Sequence, residues 1–478
     1  MSELRALVSR ARSALVWLPA LLSTQCALKP EGGPARGASS GGESGTVSVS
    51  GGSGGSGAVP VGGTNNTAGV GSGGTSANAG SGSGGSGGAA EVRGPLPAAN
   101  GANFPFPQNR QSQRCSYPTY RNSDVRAAYE RWKADTITAN GAGGHQRVQR
   151  PKDAGLEPNS TVSEGIGYGM IIAVYMNDQP LFDELWKYEQ LFLGTNGLMD
   201  WYISGNGTDR LGTGAATDAD EDMAWALLMA DRQWGGKGTL GDTYANIAKH
   251  QLDLIYANEI FEMKLVKPGD TWGDWKTVNA SYFAPSYYRT FAKASGNDGW
   301  NAVVQTSYDT LANLLTMANG NSSNGLVPAW SDSDGVPNPK VFGDMQTAPT
   351  NYQYDSCRTP FRIGLDYCFN GEARAQAYVA KTSQFFAGIG AKNIVDGYQL
   401  NGTPQPQNSS GQSAAFVGPA AVGAMSSASF QALIQGGYDA VATQTLLVGG
   451  EYYDESWTVL SLLMLSGNFL DYTLETPL

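Results

Sequence analysis

From about residue 98 onward the apolar positions recur every three or four residues, as in Asn246 to Tyr256 and Val303 to Met317, which is the spacing of helices. Clusters of Gly and Pro separate the successive stretches. The pattern predicts helices over 122–138, 164–177, 180–193, 219–234, 240–257, 283–295, 299–319, 356–369, 372–388, 412–425, 428–446 and 454–466. Twelve helices in sequence suggest six hairpins closing into a double ring, an all-α fold. A short β run is expected around Trp201 to Ile203. A parallel α/β sheet is the weaker alternative, because few strand-like runs lie between the helices.

One helix is unlike the rest. Ala219, Met223, Ala226, Leu227, Ala230 and Trp234 recur along one face, and Trp225, Leu228 and Met229 make much of the opposite face apolar. A helix hydrophobic nearly all round belongs inside a protein. Yet this one opens on Asp218, Asp220, Glu221 and Asp222. Buried carboxylates must be paired, hydrogen-bonded or protonated, because desolvating them unpaired is costly. A capping box of Asp218 and Glu221 accounts for the spacing equally well. A calcium loop does not, since its sixth and twelfth positions would be Met223 and Met229 instead of Gly and Glu.

The first 27 residues have the form of an export signal. Arg5, Arg10 and Arg12 precede an apolar run from Ala14 to Leu22 that is too short to span a bilayer. Cys26 is a candidate lipidation site and so a membrane tether, although Gln25 before it is a poor match to the small residue expected there. Residues 28–97 are dominated by Gly and Ser and cannot bury enough surface to fold. The roughly 65 residues from about Pro30 to Gly94 span roughly 45 Å as a flexible tether. Residues 98–478 then form the folded domain, expected to act as a monomer.

Composition narrows the chemistry. The 478 residues carry 31 basic and 42 acidic side chains, a net charge of -11 that argues against a nucleic-acid partner. Only His145 and His250 are present, so a multi-His metal site is ruled out. Neither histidine is accompanied by a G-x-S-x-G elbow. No metal or cofactor is expected. The 11 Trp, 22 Tyr and 15 Phe suit a large core, a sugar-stacking cleft, or both. Cys357 and Cys368, on one predicted helix, would stand about 16 Å apart along its axis, too far to be bridged. A disulfide would therefore join Cys115 to one of them.

Thr161 to Met170 contains glycines that look like a nucleotide-binding loop, but no strand is expected before it and the third Gly is misplaced. Read chemically, Glu164 opens a helix beside glycines that would let a ligand approach the backbone. Ser163-Glu164-Gly165, the stretch from Ala216 to Asp220, and Tyr354-Asp355-Ser356-Cys357-Arg358 together resemble glycoside hydrolase family 8. Asn140 to Gly144, Arg147 to Arg150, Lys267 to Gly273, Asn279 to Pro285 and Ile394 to Tyr398 agree with it. The resemblance extends over 104–470 and is strongest to the cellulase-like branch. Cys357 stands where Ala is common in that family.

The resemblance implies an (α/α)6 barrel and inverting hydrolysis of β-1,4-glycosidic bonds in cellulose or a related polysaccharide. It makes Glu164 the general acid and Asp355 the general base. Asp218 would hold and distort the sugar at the cleavage point, Tyr282 and Arg358 would position the water and the base, and Trp201 and Trp272 would stack on neighbouring sugars. A general acid needs a raised pKa, whereas a helix N-terminus favours the carboxylate. Apolar enclosure or the charge of Asp218 must therefore prevail at Glu164. The blander readings are a first-turn acid for Glu164, an N-cap for Asp355, an ion pair with Asp355 or a neighbour for Arg358, and core packing for the two tryptophans. Trp275, Tyr287, Tyr288 and Trp330 read as core or rim, and Asp332 and Asp334 as a turn. Xylan remains an alternative substrate, chitosan is disfavoured by Tyr354-Asp355, and a catalytically silent glycan-binding protein is the alternative from another class.

Overall fold

The computed structural model describes residues 101–152, 157–343, 346–408, 410–447 and 449–475. The expected export signal, Cys26 and the Gly/Ser stretch lie outside them.

Each of the twelve predicted helices has a counterpart. They are α1 (Asn122–Thr136), α2 (Ser163–Tyr175), α3 (Gln179–Glu189), α4 (Thr217–Gln233), α5 (Tyr244–Asn258), α6 (Pro285–Ser295), α7 (Gly299–Leu314), α8 (Thr359–Asn370), α9 (Ala373–Ile389), α10 (Ala414–Ala424), α11 (Gln431–Ala442) and α12 (Tyr452–Leu465). The even-numbered helices pack on one another in order, α2 on α4 and so on to α12, which returns to α2 and closes a ring. The odd-numbered helices pack against the ring, α1 on α12, α3 on α2, α5 on α4, α7 on α6, α9 on α8 and α11 on α10. Sequence dictates this division. Every residue of α2, α10 and α12 is buried, whereas α5 and α11 bury only one stripe. Helices apolar all round need protein on every side, and amphipathic ones can face water.

Short strands fasten the loops above the ring. β1 (Ile137–Thr138) pairs antiparallel with β2 (Arg147–Val148). β3 (Thr161–Val162), β4 (Tyr202–Ile203) and β5 (Arg210–Gly212) form a second antiparallel sheet with β4 in the centre. β4 is the short run expected near Trp201. β3 corrects a different expectation, because a strand does precede the glycines of Thr161 to Met170. Those glycines lie within α2, not in a loop, and they admit protein instead of ligand. A Cβ on Gly167 would stand 3.0 Å from the Ala219 carbonyl oxygen and 3.1 Å from Asp222 Cβ, while one on Gly169 would meet Leu185 at 2.8 Å. Small residues here let α2 and α4 approach closely.

The helix starts also differ in detail. α4 begins after Ala216, which makes no side-chain cap, so the acids of its first turn do not form a capping box. α8 begins at Thr359, leaving Asp355 to Arg358 in the turn before it. Asp332 does form the expected turn: its Oδ1 accepts the backbone N–H groups of Asp334 (3.1 Å) and Val336 (2.9 Å), with Gly335 at φ +91°. Cys115 is bonded to Cys368 with a Cα–Cα distance of 5.5 Å, and Cys357 is a buried free thiol.

Candidate active site

The entry of the chain into α2 is fixed by the sheet. The Ser163 N–H donates to the Trp201 carbonyl at 2.9 Å, immediately beyond the β3–β4 pairing. Glu164 is thereby held at the second position of a wholly buried helix. Its Oε1 accepts from the Tyr452 hydroxyl at 2.5 Å and its Oε2 from Arg358 Nη1 at 2.6 Å. The same Nη1 donates to Asp218 Oδ2 at 2.5 Å and to the Tyr168 hydroxyl at 3.1 Å. Arg358 Nε donates to Ser281 Oγ at 3.1 Å, and its guanidinium lies 5.1 Å from the centre of the Tyr282 ring. One turn further along both elements, Arg362 makes a bidentate pair with Asp222, both bonds 2.9 Å. Two arginine–aspartate rungs thus tie α8 and the turn before it to α4.

Asp355 stands beside this cluster. Its Oδ2 accepts from Gln353 Nε2 at 3.0 Å and from Trp330 Nε1 at 3.4 Å. Trp330 packs on Trp272 (ring centres 5.4 Å apart), Phe342 (5.1 Å) and Tyr282 (6.5 Å), so an aromatic wall runs from the cluster to Trp272. Among the described residues Arg358 makes no hydrogen bond to Asp355 and acts on it through space.

Burial pushes the Glu164 carboxyl up to about 7; Arg358 opposes this and the charge of Asp218 adds to it. The enclosure that a general acid needs therefore outweighs the arginine and the Tyr452 and Tyr168 hydroxyls. Burial also raises Asp355, against the pull of Arg358, Gln353 and Trp330.

Glu164, Asp218, Arg358 and Tyr282 form one contacting group, with Asp355 next to it. The half-buried Trp272 reaches Asp355 only through Trp330. Trp201 is buried, stacked on Tyr202 at 4.9 Å, and tied to the group through its backbone carbonyl. Tyr452, Tyr168, Ser281, Gln353 and Trp330 were not anticipated in the site. Tyr168 could have been found, four residues after Glu164 and hence on its face of α2. The sequence reads Trp330 as core or rim; its indole N–H places it against Asp355 instead.

A closed ring of helices with several buried carboxyls gathered around one arginine, one of them held near neutrality, has the paired carboxyls that glycoside hydrolysis requires. The chain belongs to the glycosyl hydrolases family 8, whose family model matches residues 105–467. It is 38% identical over 349 residues to Endoglucanase A of Acetivibrio thermocellus, covering 72% of this chain and 69% of that protein. It is 40% identical over 332 residues to Endoglucanase C of Ruminiclostridium cellulolyticum, covering 67% of this chain and 68% of the relative. The apo structure of a β-1,3-1,4-glucanase from Paenibacillus sp. X4 superimposes with a TM-score of 0.69 at 29% identity, covering 77% of this chain and 99% of that one.

Proposed function

We propose that this glycoside hydrolase cleaves β-1,4-glycosidic bonds within cellulose or a related β-glucan, with inversion, on an (α/α)6 barrel. The observation that carries the reading is Glu164: a carboxyl buried at a helix start, held at about 7, in hydrogen-bond contact with the arginine that also binds Asp218. The two endoglucanase relatives support the substrate class.

In this reading Glu164 gives its proton to the leaving glycosidic oxygen as the bond from that oxygen to the anomeric carbon breaks. Water attacks the same carbon from the opposite face, and Asp355 takes the proton that the water loses. Asp218 holds the sugar at the cleavage point, Arg358 and Tyr282 set the water and the acids, and Trp272 and Trp201 support neighbouring sugars. An inverting site leaves room for that water between its two carboxyls.

Proton NMR of freshly released oligosaccharides tests the mechanism: α-anomers appear first, and first-formed β-anomers would overturn the roles given to Glu164 and Asp355. Release of reducing sugar from carboxymethylcellulose or lichenan, compared with xylan, ranks the substrates. No release from any of them would favour a silent glycan-binding protein. Export by residues 1–27 and tethering through 28–97 belong to the same reading, supported by the Arg5, Arg10 and Arg12 flank and the Gly/Ser composition. Fatty-acid labelling of cells tests a lipid on Cys26.

A further inference from the structure

Asp355 carries an asymmetry that the roles above do not use. Two neutral donors, the Gln353 amide and the Trp330 indole, both point at Oδ2, and among the described residues Oδ1 receives none. Both donors are fixed from behind. Gln353 sits in a closed turn, its N–H donating to Ser356 Oγ at 2.8 Å while Ser356 N–H and Oγ donate back to its carbonyl at 2.8 and 3.0 Å. That turn folds the amide onto the residue two positions on. Among the described residues the buried Gln353 Oε1 has no hydrogen-bond partner, so the side-chain hydrogen bond this amide makes is the one to Asp355. Trp330 is held by the rings of Trp272, Phe342 and Tyr282.

We propose that Gln353 and Trp330 are positioning residues for the base: they pin Asp355 by Oδ2 and leave Oδ1 to take the proton of the attacking water. This rests on the assignment of Asp355 as the base. Two neutral donors suit the task. A second arginine would bind the carboxylate too firmly to accept a proton, whereas neutral N–H groups fix the rotamer and moderately favour the charged form against burial. Arg358 is already committed to Glu164 and Asp218.

The test is kinetic. Gln353→Met and Trp330→Phe each remove one donor while keeping much of the shape. Each is expected to lower kcat about tenfold or more with KM within about twofold. In each, the acid limb of the kcat/KM profile is expected to move to higher pH while the alkaline limb stays in place. A structural role would lower the amount of folded protein without moving one limb alone. An unmoved acid limb in either folded variant, or a rise in KM at constant kcat, overturns the proposal; should one variant fail to fold, the other decides. Asp355→Asn separates the two levels of inference. If it keeps full activity the base assignment itself falls, whereas if it is inactive and the acid limb still does not move, only the positioning role falls.

Discussion

Glu164 and Asp218, on neighbouring inner helices, meet on a single nitrogen: Arg358 Nη1 donates to Glu164 Oε2 at 2.6 Å and to Asp218 Oδ2 at 2.5 Å. Two carboxylates this close repel unless a cation stands between them. The arginine therefore does two jobs, allowing α2 and α4 to approach and restraining the pKa of the acid.

Replacing Arg358 by Met leaves both acids buried without their cation. Breaking one side of a buried charge cluster costs about 3–5 kcal/mol, so urea denaturation at pH 7 should show a loss of that order. The loss should shrink at pH 5, where Glu164 is protonated in the variant. Any residual activity should lose its alkaline limb at higher pH than the wild type, because Arg358 lowers the Glu164 pKa.

With Glu164 as the proposed general acid, the alkaline limb of the wild type should lie near pH 7, because burial holds its carboxyl at about 7. Asp218→Asn removes a neighbouring negative charge that raises Glu164. Its pKa then falls and activity is lost at lower pH, whatever happens to sugar binding. An alkaline limb of Asp218→Asn at or above that of the wild type would contradict the electrostatics described here.

Gly167→Ala and Gly388→Ala should have opposite effects. A Cβ on Gly167 meets the Ala219 carbonyl and Asp222 Cβ, neither of which can swing away, whereas one on Gly388 meets nothing within 4 Å. Overpacking at the α2–α4 contact should cost about 1–3 kcal/mol. Filling open space in α9 should stabilise by about 0.5–1 kcal/mol. Chemical denaturation of both variants measures the difference.

The helices were legible because burial imposes a period on local sequence, and the site acids because their flanking residues match a family pattern. The partners were not. Asp218 and Arg358 are 140 residues apart, and Glu164 and Tyr452 are 288 apart, so no local spacing links them. Ser281 lies in a single short 3-10 turn (Ala280–Tyr282) and Gln353 and Trp330 in loops, where apolar periodicity says nothing. The capping reading of Asp218 and Glu221 was physically reasonable, but Arg358 claims the one and the Tyr288 hydroxyl, at 2.7 Å, claims the other. The cysteine arithmetic excluded the right pair for an incomplete reason, since Cys357 precedes α8 and is not on it.

The Cys115–Cys368 bond closes a loop of 253 residues, tying the segment before α1 to the end of α8. Loop closure of this length is worth about 5 kcal/mol in chain entropy. Cys368→Ser should therefore lower Tm markedly, and dithiothreitol should do the same to the wild type but leave the variant unchanged. Cys357 is buried and its thiol is pushed well above the ordinary range. Native alkylation should leave it unlabelled until the fold is lost.

Behind Asp218, on the side of α4 facing α5, lies a second set of acids with a different consequence. Burial pushes Glu189 and Glu259 each up to about 8, and raises Asp220 as well. Gln251 donates to Asp220 Oδ1 at 3.0 Å and Gln190 to Glu189 Oε2 at 2.5 Å. Glu259 and Asp220 lie within hydrogen-bonding reach of each other, and Thr217 stands beside Glu259 as a further hydrogen-bond partner. Asp270 adds negative charge nearby, and Lys267 only partly offsets it. The sign follows from linkage: the unfolded glutamates ionise near 4.5, the folded ones near 8, so the native state binds more protons throughout that interval. Their contribution to stability is complete below about pH 4.5 and is lost as pH rises through about 8. Glu259→Gln keeps a donor for Asp220 and cannot ionise. Its Tm should change less between pH 5 and pH 8 than that of the wild type, and equal slopes would show that burial does not hold Glu259 protonated in the folded state.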